Sequence, residues 1–323
     1  MSIVLAFVGV ILIVVVMLDQ VVTTLTMEGA GPVSRPVSHI LWRCLRIAGI
    51  TRHPRLSLIS GPATLLGIIL FWIICLWAGW VLIFCWQGIT LVNAQTSVPA
   101  AMTERIYYAG YTITTIGYGD LRALNTPGRI ASVAAGFNGL FLLSLAITYS
   151  IQVLTAVVEN RRLALMINVL INHRVVQPSD EQRAQLLDFM CSRLGSLDMA
   201  IAGAAQKYLA YPVIRFFSER SEQVCLSLNV YRLYRYLAGL SADQDQLPAP
   251  MAVQTENTCA LLRTLVLNAT ADRWPLTSPD KHGQAARPMA SKRSNSSRDQ
   301  SFEKRLNAYV DANYWRGHSD TRR

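Results

Sequence analysis

The chain has 323 residues, 52% hydrophobic and only 15% charged, against roughly a quarter charged in an ordinary soluble domain, yet it carries a net charge of +10. Its mean hydropathy is +0.29. These values exclude a wholly disordered chain, and they exclude a plain nucleic-acid binder, which spreads basic residues over a polar sequence.

The charge is unevenly divided. Residues 1–158 hold eight Arg, no Lys and four acids (Asp19, Glu28, Glu104, Asp120), a net of +4. Residues 159–323 hold 22 basic and 16 acidic residues, a net of +6. The first half is therefore nearly free of charge, and the second reads as an ordinary polar region.

In chain order, residues 1–18, 56–103 and 130–158 contain no Asp, Glu, Lys or Arg. About 20 apolar residues in a helix cross the hydrocarbon layer, so 3–25, 65–91 and 130–157 are predicted spans. The first lacks a basic residue ahead of it and is longer than a signal-peptide core, which favours a retained span. Asp19 lies in its far end. It reads either as an interfacial residue or as a buried acid paired with another helix, and the cost of an intramembrane acid favours the interfacial reading.

Arg35, Arg43, Arg46, Arg52 and Arg55 fill the link between the first two predicted spans. The next link carries Glu104 beside Arg105, and Asp120 near Arg122, and is neutral. The positive-inside rule then places the first link in the cytoplasm, the N-terminus outside and the C-terminal region inside. Arg43-x-x-Arg46 and Arg52-x-x-Arg55 are too short for a voltage sensor and read as an orientation signal. Ile40–Ile50 is expected to be a short helix on the inner membrane surface.

Between the second and third spans, Thr103–Thr115 is a short, partly apolar helical stretch, followed by Thr115-Ile-Gly-Tyr-Gly-Asp120. This hexapeptide, between two spans and after a half-length helix, resembles the selectivity filter of potassium channels. A dehydrated potassium ion needs a cage of oxygens, and backbone carbonyls pack densely enough along an axis to supply it. Glycines at 117 and 119 provide the dihedrals such a strand requires. The resemblance implies that the carbonyls of Thr115, Ile116, Gly117 and Tyr118, with the Thr115 hydroxyl, bind K+, the permeant ion. It places Gly119 in the filter and Asp120 at the outer mouth. One motif per chain implies a homotetramer.

The resemblance further implies that Tyr107 and Tyr108 brace the filter, where the family commonly has Trp, and that Tyr111 stands where some members have a Glu. Gly139 falls at the family's inner-helix hinge, although close packing of small residues remains an equal reading. One turn at a time from Gly139, Leu143, Ile147 and Ile151 are candidate cavity and gate residues, with Thr148, Ser150, Gln152 and Thr155 nearby.

The spacing beyond Glu159 predicts helices over 180–194, 196–210, 212–240 and 252–268, with Ser179 as a helix cap. Residues 276–301 read as a disordered linker, and 302–315 as a last helix. The six cysteines form no C-x-x-C pair, the five histidines suggest no metal site, and no dinucleotide, P-loop or hydrolase motif is present.

The fold expected is an all-α membrane protein with three spans, a re-entrant pore helix and filter, and a helical cytoplasmic domain. Its parts are an N-terminal span (1–27), a basic link (28–57), a pore domain (58–160), a helical domain (161–275) and a linker with a basic tail (276–323). The function expected is passive potassium conduction, with a nonselective cation pore or a non-conducting modulatory subunit as the alternative. An enzyme is not expected, nor is a cofactor. The partners expected are copies of the chain, the lipid bilayer and an unidentified cytoplasmic regulator.

Overall fold

In the computed structural model the three charge-free stretches become helices long and apolar enough to cross a membrane: α1 (Ile3–Leu25), α3 (Ser60–Phe84) and α5 (Thr126–Ile171). The structure describes residues 3–26, 29–47, 58–172, 180–219, 221–242, 248–271 and 295–313. The remaining helices are α2 (Ser34–Ile47), α4 (Met102–Ile113), α6 (Asp180–Ala210), α7 (Leu226–Ala242), α8 (Ala249–Thr270) and α9 (Asn295–Asn313). This is an all-α membrane protein. It has one small addition that the sequence did not announce, the antiparallel pair β1 (Leu91–Asn93) and β2 (Leu121–Ala123).

Two compact units are formed, one from Met1–Cys44 with Pro62–Val153, the other from Leu45–Gly61 with Leu154–Arg323. In the first unit α1 crosses α3 at paired glycines. A Cβ built at Gly9 would lie 2.6 Å from the Gly79 carbonyl, and one at Gly79 would lie 2.6 Å from Ile13. Lipid offers no hydrophobic drive for helix pairing, so this close backbone approach contributes to fastening the two helices. Trp72, Leu76 and Phe84 of α3 and Leu142, Tyr149 and Val153 of α5 are buried in this unit, and Trp72 meets Tyr149 at 6.0 Å between centroids. The side-chain amide of Gln20 in α1 donates to the Leu142 carbonyl of α5 at 2.8 Å.

Asp19 corrects the interfacial expectation. It is 1% exposed and collects four donors from two other elements. Its Oδ1 accepts the backbone N–H groups of Val33 (2.7 Å) and Ser34 (3.0 Å). Its Oδ2 accepts the Ser34 hydroxyl and, at 3.0 Å, the Trp72 indole N–H of α3. The carboxylate thus caps the start of α2, meeting both its orphan N–H groups and its dipole. The desolvation cost that argued against burial is offset by this full set of bonds. The amphipathic helix begins at Ser34, six residues before the expected Ile40. Residues 48–57, which include Arg52 and Arg55, lie outside the described residues.

In the second unit α6 packs along α8, and α7 and α9 close over them. The core comprises Leu194, Leu197 and Ile201 of α6, Leu233 and Leu237 of α7, and Leu262, Leu265 and Val266 of α8. The two predicted helices 180–194 and 196–210 are one. Gly195, whose nearest neighbour is a side-chain nitrogen 4.0 Å away, costs the helix about 1 kcal/mol, less than the packing on α8 returns. The predicted helix 212–240 is broken. A 3₁₀ turn (Pro212–Phe216) precedes α7, and buried Arg215 satisfies the Asn268 carbonyl at 2.8 Å. Ser179, expected as a cap, lies outside the described residues.

The tail also differs from expectation. Most of the linker expected at 276–301 lies outside the described residues, but α9 begins at Asn295, inside the stretch expected as disordered. Its Phe302, Leu306, Tyr309 and Val310 are buried. Tyr309 meets Tyr208 edge-on with their hydroxyls 3.0 Å apart, and Phe302 meets Tyr234 at 4.9 Å between centroids.

Candidate functional site

The hexapeptide follows directly on the half-length helix α4. That helix starts with Glu104 accepting the Ala101 N–H at 2.7 Å, and Arg105 donates to the carbonyls of Phe84, Ile89 and Ala100. The two residues therefore anchor the loop separately, although the sequence reading used them only for the link's charge balance. Trp77 of α3 donates its indole N–H to the Ile106 carbonyl at 3.1 Å, and the Tyr108 hydroxyl lies 2.6 Å from that of Ser132 on α5.

The end of α4 shapes the start of the motif. The Thr115 N–H bonds to the Thr112 carbonyl at 3.1 Å, and the Ile116 N–H to the Tyr111 carbonyl at 3.0 Å. This pair of bonds is a Schellman motif, with Thr114 as C-cap and Thr115 in the left-handed position that is usually glycine. Positive φ then recurs at every second residue: Thr115 at 59°, Gly117 at 60° and Gly119 at 78°. Alternation between right- and left-handed dihedrals brings successive backbone polar groups round to one side of the strand. A β-branched residue in the left-handed region costs about 1–2 kcal/mol, so Thr115 is held there by its surroundings.

The strand is fixed at its far end as well. The Ala94 N–H bonds to the Asp120 carbonyl at 2.8 Å, β2 pairs with β1, and the Leu124 N–H bonds to the Thr90 carbonyl at 3.0 Å. Asn125 clasps the same loop, accepting from the Thr90 N–H and donating to the Gly88 carbonyl. Asn125 and Asn93, whose side chain accepts two N–H groups of its own turn, escaped the sequence reading, as did the anchoring role of Arg105. The only cue to the two asparagines was the general habit of Asn in turns.

The aromatic residues gather beside the motif. Tyr107 stacks on Tyr118 with centroids 6.1 Å apart and planes at 15°, and Tyr111 meets Tyr118 edge-on at 5.9 Å. Tyr108 stands one layer back, edge-on to Tyr111 and to Phe84. The Tyr111 hydroxyl donates to the Leu121 carbonyl at 3.1 Å. It thus ties the helix to the strand one residue beyond Asp120, through the backbone rather than through the Asp side chain. The other flank is open in the single chain. Ile116 is 56% exposed, Tyr118 is 65% exposed, and a Cβ at Gly117 or Gly119 would meet nothing within 4 Å.

Gly139 lies within unbroken α5, where a Cβ would overlap the Ile113 carbonyl at the end of α4. Its missing side chain is what lets α5 pass under the motif, so the close-packing reading has a direct physical basis. Gly136, one turn earlier, has 3.6 Å to the Thr112 carbonyl. Leu143, Ile147 and Ile151 form one exposed apolar stripe on α5, and Ser144, Thr148, Gln152 and Thr155 form a polar stripe beside it. Ser150 is set apart from both, half-buried and bonded to the Ala146 carbonyl. Among the described residues no cluster of His, Cys, Asp and Glu could hold a metal ion.

Residues 69–156 match the family described as "Ion channel". That stretch is similar to the ion-channel family. This channel-like segment contains most of α3, the whole of α4 with the motif, and α5 to Ala156. The chain is also similar to an uncharacterized membrane protein, YdjJ, of Bacillus subtilis (strain 168). The two are 31% identical over 224 residues, 67% of this chain and 63% of the relative's length. No solved structure matches the chain. α1 and the helices beyond Ala156 lie outside the channel segment.

Proposed function

We propose that the protein is a potassium-selective channel in which four copies each contribute the strand Thr115–Gly119 to one filter. The N-terminus would lie outside and the C-terminal helices in the cytoplasm, as the arginines of the first link favour. The observation that carries the reading is the run of left-handed φ values at Thr115, Gly117 and Gly119, pinned at both ends, within T-I-G-Y-G-D. Such a backbone can replace an ion's water shell with carbonyl oxygens without any charged side chain. The exposed Ile116 and Tyr118 side chains support a surrounding ring of copies, since apolar groups so placed at a rigid strand call for a partner.

In this mechanism Asp120 gathers cations at the mouth, and the carbonyl end of α4 stabilises the ion below the filter. The stripe Leu143, Ile147 and Ile151 forms an apolar constriction that conducts when wetted and closes when dry. The test is planar-bilayer recording of the purified protein in bi-ionic potassium and sodium. Potassium should carry the current and barium should block it. Equal permeability to the two ions would overturn the selectivity.

A further inference from the structure

We infer that α2 is a docking helix for anionic phospholipid headgroups, held rigidly at its start by the buried carboxylate of Asp19. The helix presents three different faces. Ser34, Val37, Ser38 and Leu41 turn towards the protein, and the Leu41 side chain lies against Gly67 of α3, where a Cβ would come within 2.7 Å of it. A second face carries Arg35, Arg43 and Arg46 with Trp42, all three arginines being exposed. A third is apolar and exposed, with Ile40 at 58% and Ile47 at 86%.

A soluble phosphate compound would explain the arginines but not the exposed isoleucines beside them. A lipid surface explains both, because the apolar strip enters the acyl boundary while the guanidinium groups meet the phosphates. Charge selects the kind of lipid. Between Glu28 and Glu104 there is no acidic residue, and all five arginines of that stretch fall between 35 and 55. The segment therefore carries net positive charge, and anionic headgroups complement it where zwitterionic ones do not. The Asp19 bonds to Val33, Ser34 and Trp72 fix the start of α2, so its cationic face is presented without a further ordering cost. None of this depends on which ion the pore passes.

The full-length protein in lipid vesicles tests it by tryptophan quenching. Trp42 fluorescence is taken as the difference between the native chain and Trp42→Phe, with a minor fraction of either phosphatidylglycerol or phosphatidylcholine brominated on its acyl chains. Brominated phosphatidylglycerol should quench Trp42 at least about twofold more than brominated phosphatidylcholine. The preference should vanish in the double variant Arg43→Gln, Arg46→Gln and persist in Arg43→Lys, Arg46→Lys. Equal quenching by the two lipids, no quenching by either, or a preference that survives the Gln variant would each overturn the proposal.

Discussion

Thr115 occupies a position that the local backbone would give to glycine, and that conflict separates stability from function. Replacing it with Gly should relieve about 1–2 kcal/mol of left-handed strain. Part of the gain is returned, since a new Gly loosens the unfolded chain by about 0.4–1 kcal/mol. Thr115→Gly is therefore expected to raise thermal stability slightly, by between about 0 and 1.6 kcal/mol per chain, while lowering the potassium-to-sodium permeability ratio through loss of the hydroxyl. A ratio unchanged in bi-ionic recording would show that the Thr115 hydroxyl takes no part in selection. The glycines of α5 give a second contrast. Gly139→Ala drives a methyl into the Ile113 carbonyl, whereas Gly136→Ala meets the Thr112 carbonyl at an ordinary distance. The first should destabilise by roughly 2 kcal/mol or more and abolish current, and the second should do neither, by thermal unfolding and bilayer recording. The sequence made this site readable because a strand with left-handed φ at alternate residues leaves few choices of residue at 117 and 119. It did not reveal that Gly139 clears Ile113, because the two are brought together by a tertiary crossing of α4 and α5 that no local spacing encodes.

At the level of single elements, α2 depends on a carboxylate 15 residues before its first residue. Asp19→Ala orphans two backbone N–H groups, the Ser34 hydroxyl and one bond of the Trp72 indole, each buried donor costing about 1 kcal/mol or more, so a loss of roughly 3 kcal/mol is expected. Asp19→Asn keeps one acceptor oxygen and should fall between the native chain and Ala. Equal thermal stability of all three proteins in detergent would show that the cluster contributes nothing. Hydropathy located α1 and α3 but could not show that Asp19 is buried, because its donors come from segments remote in sequence. In α6, burial raises the Asp198 carboxyl above its ordinary value, partly countered by hydrogen bonds from Thr258 and Gln254. A folded value above the unfolded one, near about 3.9, means that the folded state holds the proton longer. Stability should then fall as pH rises from the unfolded value through the folded one, and be level above it. Asp198→Asn should flatten that portion of the melting-temperature profile. An identical profile in the variant would remove Asp198 as its cause. Helical spacing revealed α6 and α8, yet their limits were missed, since packing carries α6 across Gly195 and the 3₁₀ turn interrupts the apolar rhythm after Pro212.

On the scale of the whole chain, the segment similar to ion channels ends at Ala156 while α5 runs on to Ile171, into the helical unit beyond it. The composition already hinted at this division, through a first half nearly free of charge and a polar second half. It could not show that the tail belongs to the second unit's core, because Phe302, Leu306, Tyr309 and Val310 are diluted by a strongly polar sequence. Burying four such side chains contributes roughly 6 kcal/mol or more before the entropy of ordering the helix is subtracted. Deleting residues 295–323 uncovers apolar surface of α7 and α8 and exposes Tyr234 of α7 and Tyr208 of α6, which lose their ring partners. The shortened protein is expected to show faster proteolysis within residues 180–271 and a lower melting temperature. Its potassium-to-sodium permeability ratio should stay the same, since the hydrogen bonds and ring contacts that hold Thr115–Gly119, and the α4 contacts behind them, come from residues 77–139 and none from residues 295–313. A changed ratio would mean that the tail acts on the filter itself, whereas an unchanged cleavage pattern would mean that α9 adds nothing to the unit it covers.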